Sequence, residues 1–200
     1  KKNIKVLIGG TAGDDLFSGY RRHKALNYEP LFMNVPKFIF KFLKYIAKIA
    51  GNKSPKFRRI NKFLQYSDAL QDYRISGYFS WLNFEILKKI IKDEFINQIH
   101  DPLDYFNNIL SNNDNRHDVL DDMLILELKG FLPDHNLNYT DKMGMSHGVE
   151  IRVPFLDREL YEFSRVLESS FKLKNGETKY ILKKVAEKYL PKEVIYRPKT

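Results

Sequence analysis

The apolar residues of this chain recur mostly at helical spacing, and two short stretches break that rhythm. The first is Ile4–Ile8, a mainly apolar run that stops at Gly9-Gly10; so short a run ended by glycines predicts a strand. The second is Val149–Val153. Elsewhere the spacing predicts helices over Asp14–Asn27, Pro36–Ala50, Ser67–Leu82, Phe84–Lys92, Pro102–Leu110, Arg116–Phe131, Arg158–Leu167 and Glu177–Tyr189. The clearest is Pro36–Ala50. Ile39, Phe42, Leu43, Ile46 and Ala50 are apolar, while Lys37, Lys41, Lys44 and Lys48 recur at spacings of four, three and four. Pro36 suits a helix first turn and Gly51 a helix end.

These elements predict a mostly α-helical chain with one or two short parallel strands. A parallel strand needs neighbours on both edges, so the expectation is a piece of a longer α/β polypeptide. The expected organisation is a strand–loop–helix core with a first lobe helix over 1–50, a helical lobe over 56–131 and a C-terminal motif region over 132–200. Gly51–Pro55 is the hinge between the first two.

Composition changes this picture little. With 43% hydrophobic and 14% aromatic residues the chain can bury a core. The absence of cysteine excludes disulfides and thiolate metal sites and favours a cytoplasmic setting. No run approaches the ~20 apolar residues of a membrane span. The formal net charge of +9 suits either an anionic partner or a solvated lysine-rich surface, the lysines being spread along the chain.

Three stretches could carry chemistry. In the first, Gly9 and Gly10 lead through Thr11, Ala12 and Gly13 to Asp14 and Asp15. Glycines let backbone approach a ligand, and a helix start offers free N–H groups. The run is neither G-x-x-x-x-G-K-S/T nor G-x-G-x-x-G. Its two carboxylates would repel a bare phosphate, and suit a metal bridging to phosphate, a substrate ammonium or simple balance of the helix dipole. The second, Leu132–Asp157, holds Asp134, His135, Asp141, Lys142, His147, Glu150, Arg152 and Asp157 among apolar anchors. Its histidine spacing is no zinc signature. "VPFLD" reads as a buried turn whose Asp157 caps the next helix. The third, Gly176-Glu177-Thr178-Lys179, puts a lysine in a helix first turn, against the dipole. Such a lysine either meets a polyanion or reaches out to solvent.

In this order the three stretches resemble the synthetase domain of the glutamine-hydrolysing asparagine synthetases. Gly9–Tyr20 is similar to the family's S-G-E-G-(A/S)-D-E-L-F-G-G-Y. Leu132–Asp157 is similar to L-P-D-N … D-R-M-S-M-A-H-S-L-E-V-R-V-P-F-L-D, Gly176–Lys183 to G-E-T-K-Y-x-L-(K/R), and Arg197-Pro198-Lys199 to its closing R-P-K. The resemblance implies an α/β fold of the adenine-nucleotide α-hydrolase kind with a helical lobe. It implies that ATP, with Mg²⁺, adenylates the carboxylate of aspartate or a related acceptor, and that ammonia from glutamine attacks the acyl-adenylate. Lys179 would then neutralise the α-phosphate and the departing pyrophosphate, and Asp14 would hold the substrate side. Gly9, Gly10, Thr11, Asp15, Glu177, Asp134 and Asp141 would line the nucleotide and substrate site, with Asp15 also bracing its helix. Arg152 and Asp157 would fix loop geometry. No residue is assigned as a direct metal ligand.

Two departures qualify the resemblance. Thr11 stands where the family has glutamate, which puts asparagine formation in question, and Gly9 replaces its serine; acceptors other than aspartate stay open. The family's pyrophosphate loop, S-G-G-x-D-S, and its N-terminal glutaminase domain, with a cysteine nucleophile, are absent from these 200 residues. Alone, the chain is therefore expected not to hydrolyse glutamine and to bind ATP poorly; no nucleic-acid partner is expected, and a homodimer is one open assembly, the sequence not fixing the oligomeric state. Two alternatives remain. One is a basic helical module, built on the Lys37–Lys48 stripe, that binds nucleic acid or an anionic membrane. The other is a degenerate, scaffold-like synthetase.

Overall fold

The computed structural model of the protein describes residues 4–51, 54–113 and 118–197. Strand β1 (Val6–Ile8) is followed by helices α1 (Gly13–Leu16), α2 (Arg21–Ala25), α3 (Glu29–Asn34), α4 (Lys37–Ala50) and α5 (Pro55–Leu64). Next come α6 (Gln71–Gly77), α7 (Phe84–Ile90), α8 (Pro102–Ser111) and α9 (Val119–Leu126). A π-helical stretch, Glu127–Leu137, links α9 to α10 (Asn138–Met145). After it lie β2 (Glu150–Arg152), α11 (Arg158–Val166), α12 (Ser169–Lys172), β3 (Leu173–Lys174), β4 (Glu177–Thr178), α13 (Tyr180–Ala186) and α14 (Lys192–Ile195). The described residues are thus mostly helical. β1 and β2 pair in parallel, Val6 opposite Glu150 and Ile8 opposite Arg152, while β3 and β4 form a small antiparallel hairpin.

The chain divides into two compact units: a terminal unit, Lys1–Lys24 with Glu127–Thr200, and a central unit, Ala25–Leu126. The division therefore does not fall at Gly51–Pro55. There α4 and α5 pack on each other, and Gly51, at φ +66°, turns the chain between them. A glycine marks the end of a helix, and nothing in its chemistry distinguishes that from the end of a unit.

The central unit is built on Phe32, Phe40, Ala47 and Leu64, with Val35 and Phe63 packed against them. The Phe32 ring lies 5.0 Å from those of Phe40 and Phe63. A buried ion pair, Arg74 Nη2 to Glu29 Oε2 at 2.7 Å, ties α6 to α3. A second layer packs α6 and α8 against α9, whose Met123, Leu124 and Leu126 are almost fully buried. In the terminal unit, Gly144 of α10 lies against the β2 approach. A Cβ there would come within 2.7 Å of the Val149 carbonyl oxygen, so only glycine lets the helix sit so near the strand.

Several expected helices are redrawn. Asp14–Asn27 is broken: α1 stops at Leu16, and Ser18, at φ +64°, turns the chain before α2. Ser67–Leu82 shortens to Gln71–Gly77, and Glu177–Tyr189 begins only at Tyr180. Arg116 and the middle of its polar connector lie outside the described residues, as do Asn52, Lys53, Pro198 and Lys199. The helix expected to stop at Phe131 runs on through Pro133 in π register. Proline normally ends a helix because it lacks an N–H and clashes with the preceding turn; the wider π turn is where this one is accommodated. The expected buried turn at 153–157 is a half-exposed 3₁₀ turn. Asp157 does cap α11, accepting the N–H of Glu159 at 3.0 Å and of Leu160 at 3.2 Å.

Candidate functional site

β1 carries the chain to the site. The Gly9 N–H donates to the Arg152 carbonyl at 2.8 Å, extending the parallel ladder by one bond, and the chain then turns. Ala12, at φ +70°, starts α1, which places Asp14 and Asp15 in its first turn. Gly10, Thr11, Asp14 and Asp15 line one side of a half-open cleft of about 250 Å³. His135, Asn136, Tyr139 and Thr140, from the π stretch and α10, line the other. A Cβ on Gly10 would meet nothing within 4 Å, so this glycine leaves the cleft open.

Lys179 comes to Asp14 from the far end of the sequence. Its Nζ lies 2.6 Å from Asp14 Oδ1, with both side chains about a third exposed. The contact is ionic; that oxygen has no well-angled hydrogen bond. Lys179 sits at φ +55°, ψ +35°, just before α13 rather than in its first turn. The bare backbone of Gly19 makes room for the Asp14 carboxylate, whose Oδ1 would lie 1.6 Å from a Cβ there. Among the described residues four non-glycines have positive φ, and Ala12, Ser18 and Lys179 are three of them. Such conformations persist only where the surroundings impose them, and they gather at functional sites.

A polar network backs the cleft. Glu127, fully buried, accepts Arg22 Nε and Nη2 at 2.5 Å each, and His23 Nε2 lies 2.8 Å from Oε1. The Arg22 guanidinium also stacks 4.3 Å over the Tyr20 ring and 4.5 Å over that of Phe131. The Tyr20 hydroxyl donates to Asp15 at 3.2 Å and accepts from Asn136 Nδ2 at 2.9 Å. Burial, and then the charge of Glu127, push the Asp15 carboxyl up to about 6. Burial likewise raises the Tyr20 hydroxyl, which stays neutral and able to donate.

The raised Asp15 carboxyl predicts a pH effect. Folding favours its protonated form, so that contribution is complete below the unfolded value near 4 and is lost as pH rises through about 6. An Asp15→Asn variant stays neutral throughout. Its stability should gain on wild type between pH 4 and pH 7, by on the order of 3 kcal/mol at most, read as a rise in melting temperature relative to wild type. Parallel melting curves across that range would show that Asp15 does not titrate there.

The structure brings Gly10, Thr11, Asp14, Asp15 and Lys179 together. Gly9 lies beneath the turn, where its Cβ would meet Ile151 at an ordinary 3.5 Å. Glu177 does not line the cleft; it pairs with Lys183 at 2.9 Å. Asp134 and Asp141 are exposed and also outside the lining. The exposed Arg152 side chain holds Glu150 at 2.8 Å and Asp157 caps its helix, so both serve local geometry. Glu127, Tyr20 and Asn136 also belong to the site, though no motif spacing marks them out as site residues. A lone glutamate between Leu126 and Leu128 was the available signal for the first, since a charge in an apolar run demands a partner. Among the described residues no group of three or more His, Asp or Glu could hold a metal.

A glycine-led strand-to-helix turn and its Asp14, ion-paired with Lys179, thus form one wall of a small polar cleft. The chain belongs to the asparagine synthase family, whose model matches residues 1–200. It is 28% identical over 203 residues to asparagine synthetase (glutamine-hydrolyzing) 1 of Bacillus subtilis, covering 100% of this chain and 30% of that protein. Over 62 residues it is 40% identical to asparagine synthetase (glutamine-hydrolyzing) of Gallus gallus, covering 30% of this chain and 11% of that protein. Asparagine synthetase (glutamine-hydrolyzing) 3 of B. subtilis is 36% identical over 64 residues, covering 32% and 10%. The chain thus spans about 30% of the length of the curated relatives that it matches end to end. No solved structure matches it.

Proposed function

We propose that this chain carries the carboxylate-activating site of an ATP-dependent, amide-forming synthetase. ATP adenylates the carboxylate of aspartate or a related acceptor and releases pyrophosphate; ammonia derived from glutamine then displaces AMP. The observation that carries this reading is the Lys179–Asp14 pair, 2.6 Å apart beside the Gly10 turn. A partly exposed pair is held weakly, so a ligand with both charges can open it. Phosphate oxygens would draw Lys179, whose ammonium then faces the charge that develops as pyrophosphate leaves. The released Asp14 carboxylate would accept an acceptor ammonium. A cleft of about 250 Å³ is smaller than typical ligand pockets, so it suits the reacting end of the nucleotide alone.

Mg²⁺ does not fit as a protein-caged ion here: Asp14 is paired with Lys179, and Asp15 accepts from Tyr20 and is driven toward its neutral form. A magnesium ion would have to be carried in by the nucleotide, where it would offset phosphate charge. Thr11 cannot serve as a base, because a neutral hydroxyl is a very weak proton acceptor and does not ionise near neutral pH. The test is exchange of labelled pyrophosphate into ATP by the complete protein. Aspartate, or one of a panel of related carboxylates, should raise the exchange at least about tenfold, equivalent to about 1.4 kcal/mol. Exchange that no carboxylate stimulates would overturn the assignment.

A further inference from the structure

The central unit carries a surface that the synthetase site does not use. From Pro30 to Ser67 the sequence has nine lysines and arginines and no aspartate or glutamate, against a net charge of +9 for the whole chain. The basic residues are spread along the chain; it is the acidic ones that are missing here. All nine lie between Lys37 and Lys62, so the α4–α5 hairpin carries a charge equal to the whole excess of the chain.

The hairpin also exposes large apolar side chains. On α4, Phe38, Phe42, Tyr45 and Ile49 are 70%, 61%, 65% and 68% exposed. Their spacing of four, three and four puts them in one stripe. At 3.6 residues per turn that stripe lies about 180° from Phe40 and Ala47, which face the core. Lys37 and Lys41 stand between the two faces, beside Lys44, which pairs with Asp68. α5 adds the exposed Phe57 and Ile60 among Lys56, Arg58 and Arg59. One face of α4 thus anchors it to the unit while the opposite face presents aromatic and aliphatic groups, bordered along one edge by cations and along the other by Leu43 and Ile46.

We propose that the α4–α5 hairpin docks on an anionic phospholipid surface, with the Phe38–Ile49 stripe in the acyl–headgroup boundary and the flanking lysines at the headgroups. This is the arrangement of an interfacial helix, in which apolar burial and attraction to anionic lipid act together. A second copy is a poorer occupant, because pairing two stripes brings two lysine rows side by side. Nucleic acid is also poorer, because phosphate contacts would leave the aliphatic part of the stripe in water.

The test is co-sedimentation of the complete protein with vesicles of phosphatidylcholine, with or without about one-third phosphatidylglycerol. The anionic vesicles should bind at least about tenfold more protein, and binding should fall between about 50 and about 300 mM NaCl. Phe42→Glu with Ile49→Glu, and separately Lys37→Gln with Lys41→Gln, should each reduce binding, the first about tenfold or more and the second severalfold, with little change in melting temperature, because these side chains lie outside the core. Equal binding to neutral vesicles, or none to anionic ones at low salt, overturns the proposal. So does a dimer in gel filtration that Phe42→Glu splits, or tighter binding to a random oligonucleotide than to the vesicles. None of these outcomes depends on pyrophosphate exchange, so the two readings stand or fall separately.

Discussion

Replacing Glu127 by alanine is expected to destabilise the terminal unit by about 3–5 kcal/mol. Glu127 is fully buried and is the shared acceptor of Arg22 and His23, while Arg22 is only 20% exposed. Removing it strands a guanidinium that also stacks on Tyr20 and Phe131 and cannot lose its proton. The cost of a charge left without its partner exceeds what the intact pair contributes. Against a typical total of about 5–15 kcal/mol, this is enough to unfold much of the population. Glu127→Gln keeps shape and one acceptor, so it should cost clearly less. Urea unfolding followed by circular dichroism measures both; a loss under about 1 kcal/mol for the alanine variant would show that the network does not hold the unit together.

The second large effect concerns Lys179. Lys179→Ala in the complete protein should lower acceptor-dependent pyrophosphate release about 10²-fold, near 2.7 kcal/mol, as expected for a donor aimed at developing charge. The backbone supplies a control. Lys179 sits at φ +55°, a conformation that glycine adopts without steric cost. Lys179→Gly should therefore be as stable as wild type or more so, yet equally slow. Loss of activity without loss of stability separates the ammonium's role from a structural one. If Lys179→Ala stays within about threefold of wild type, the ammonium is not a transition-state donor.

Both residues show where sequence reasoning succeeds and where it stops. Lys179 was legible because a cation near a helix start stands against the dipole, although the structure moves it from the first turn to the residue before α13. Its neighbour Glu177 was not, since only packing shows that Glu177 turns to Lys183. In the polar stretch after Leu132 the sequence drew attention to Asp134 and Asp141. The continuous helical path instead presents Asn136, Tyr139 and Thr140 to the cleft. A proline and a glycine at 133 and 130 read as helix end, and the π register that overrides them leaves no pattern in single-sequence periodicity.

By itself the sequence determined the mostly helical character, the two parallel strands but not the β3–β4 hairpin, the cap at Asp157 and the membership of the terminal motifs in one family, because these rest on local spacing and local chemistry. The tertiary structure decided which carboxylates face the cleft, that Asp14 meets Lys179, and that the chain divides at Lys24 and Glu127 instead of at its most turn-like segment. It also set the raised Asp15 carboxyl. Those outcomes depend on contacts between residues more than a hundred positions apart and on the water that such contacts exclude, neither of which is written in any local stretch of the chain.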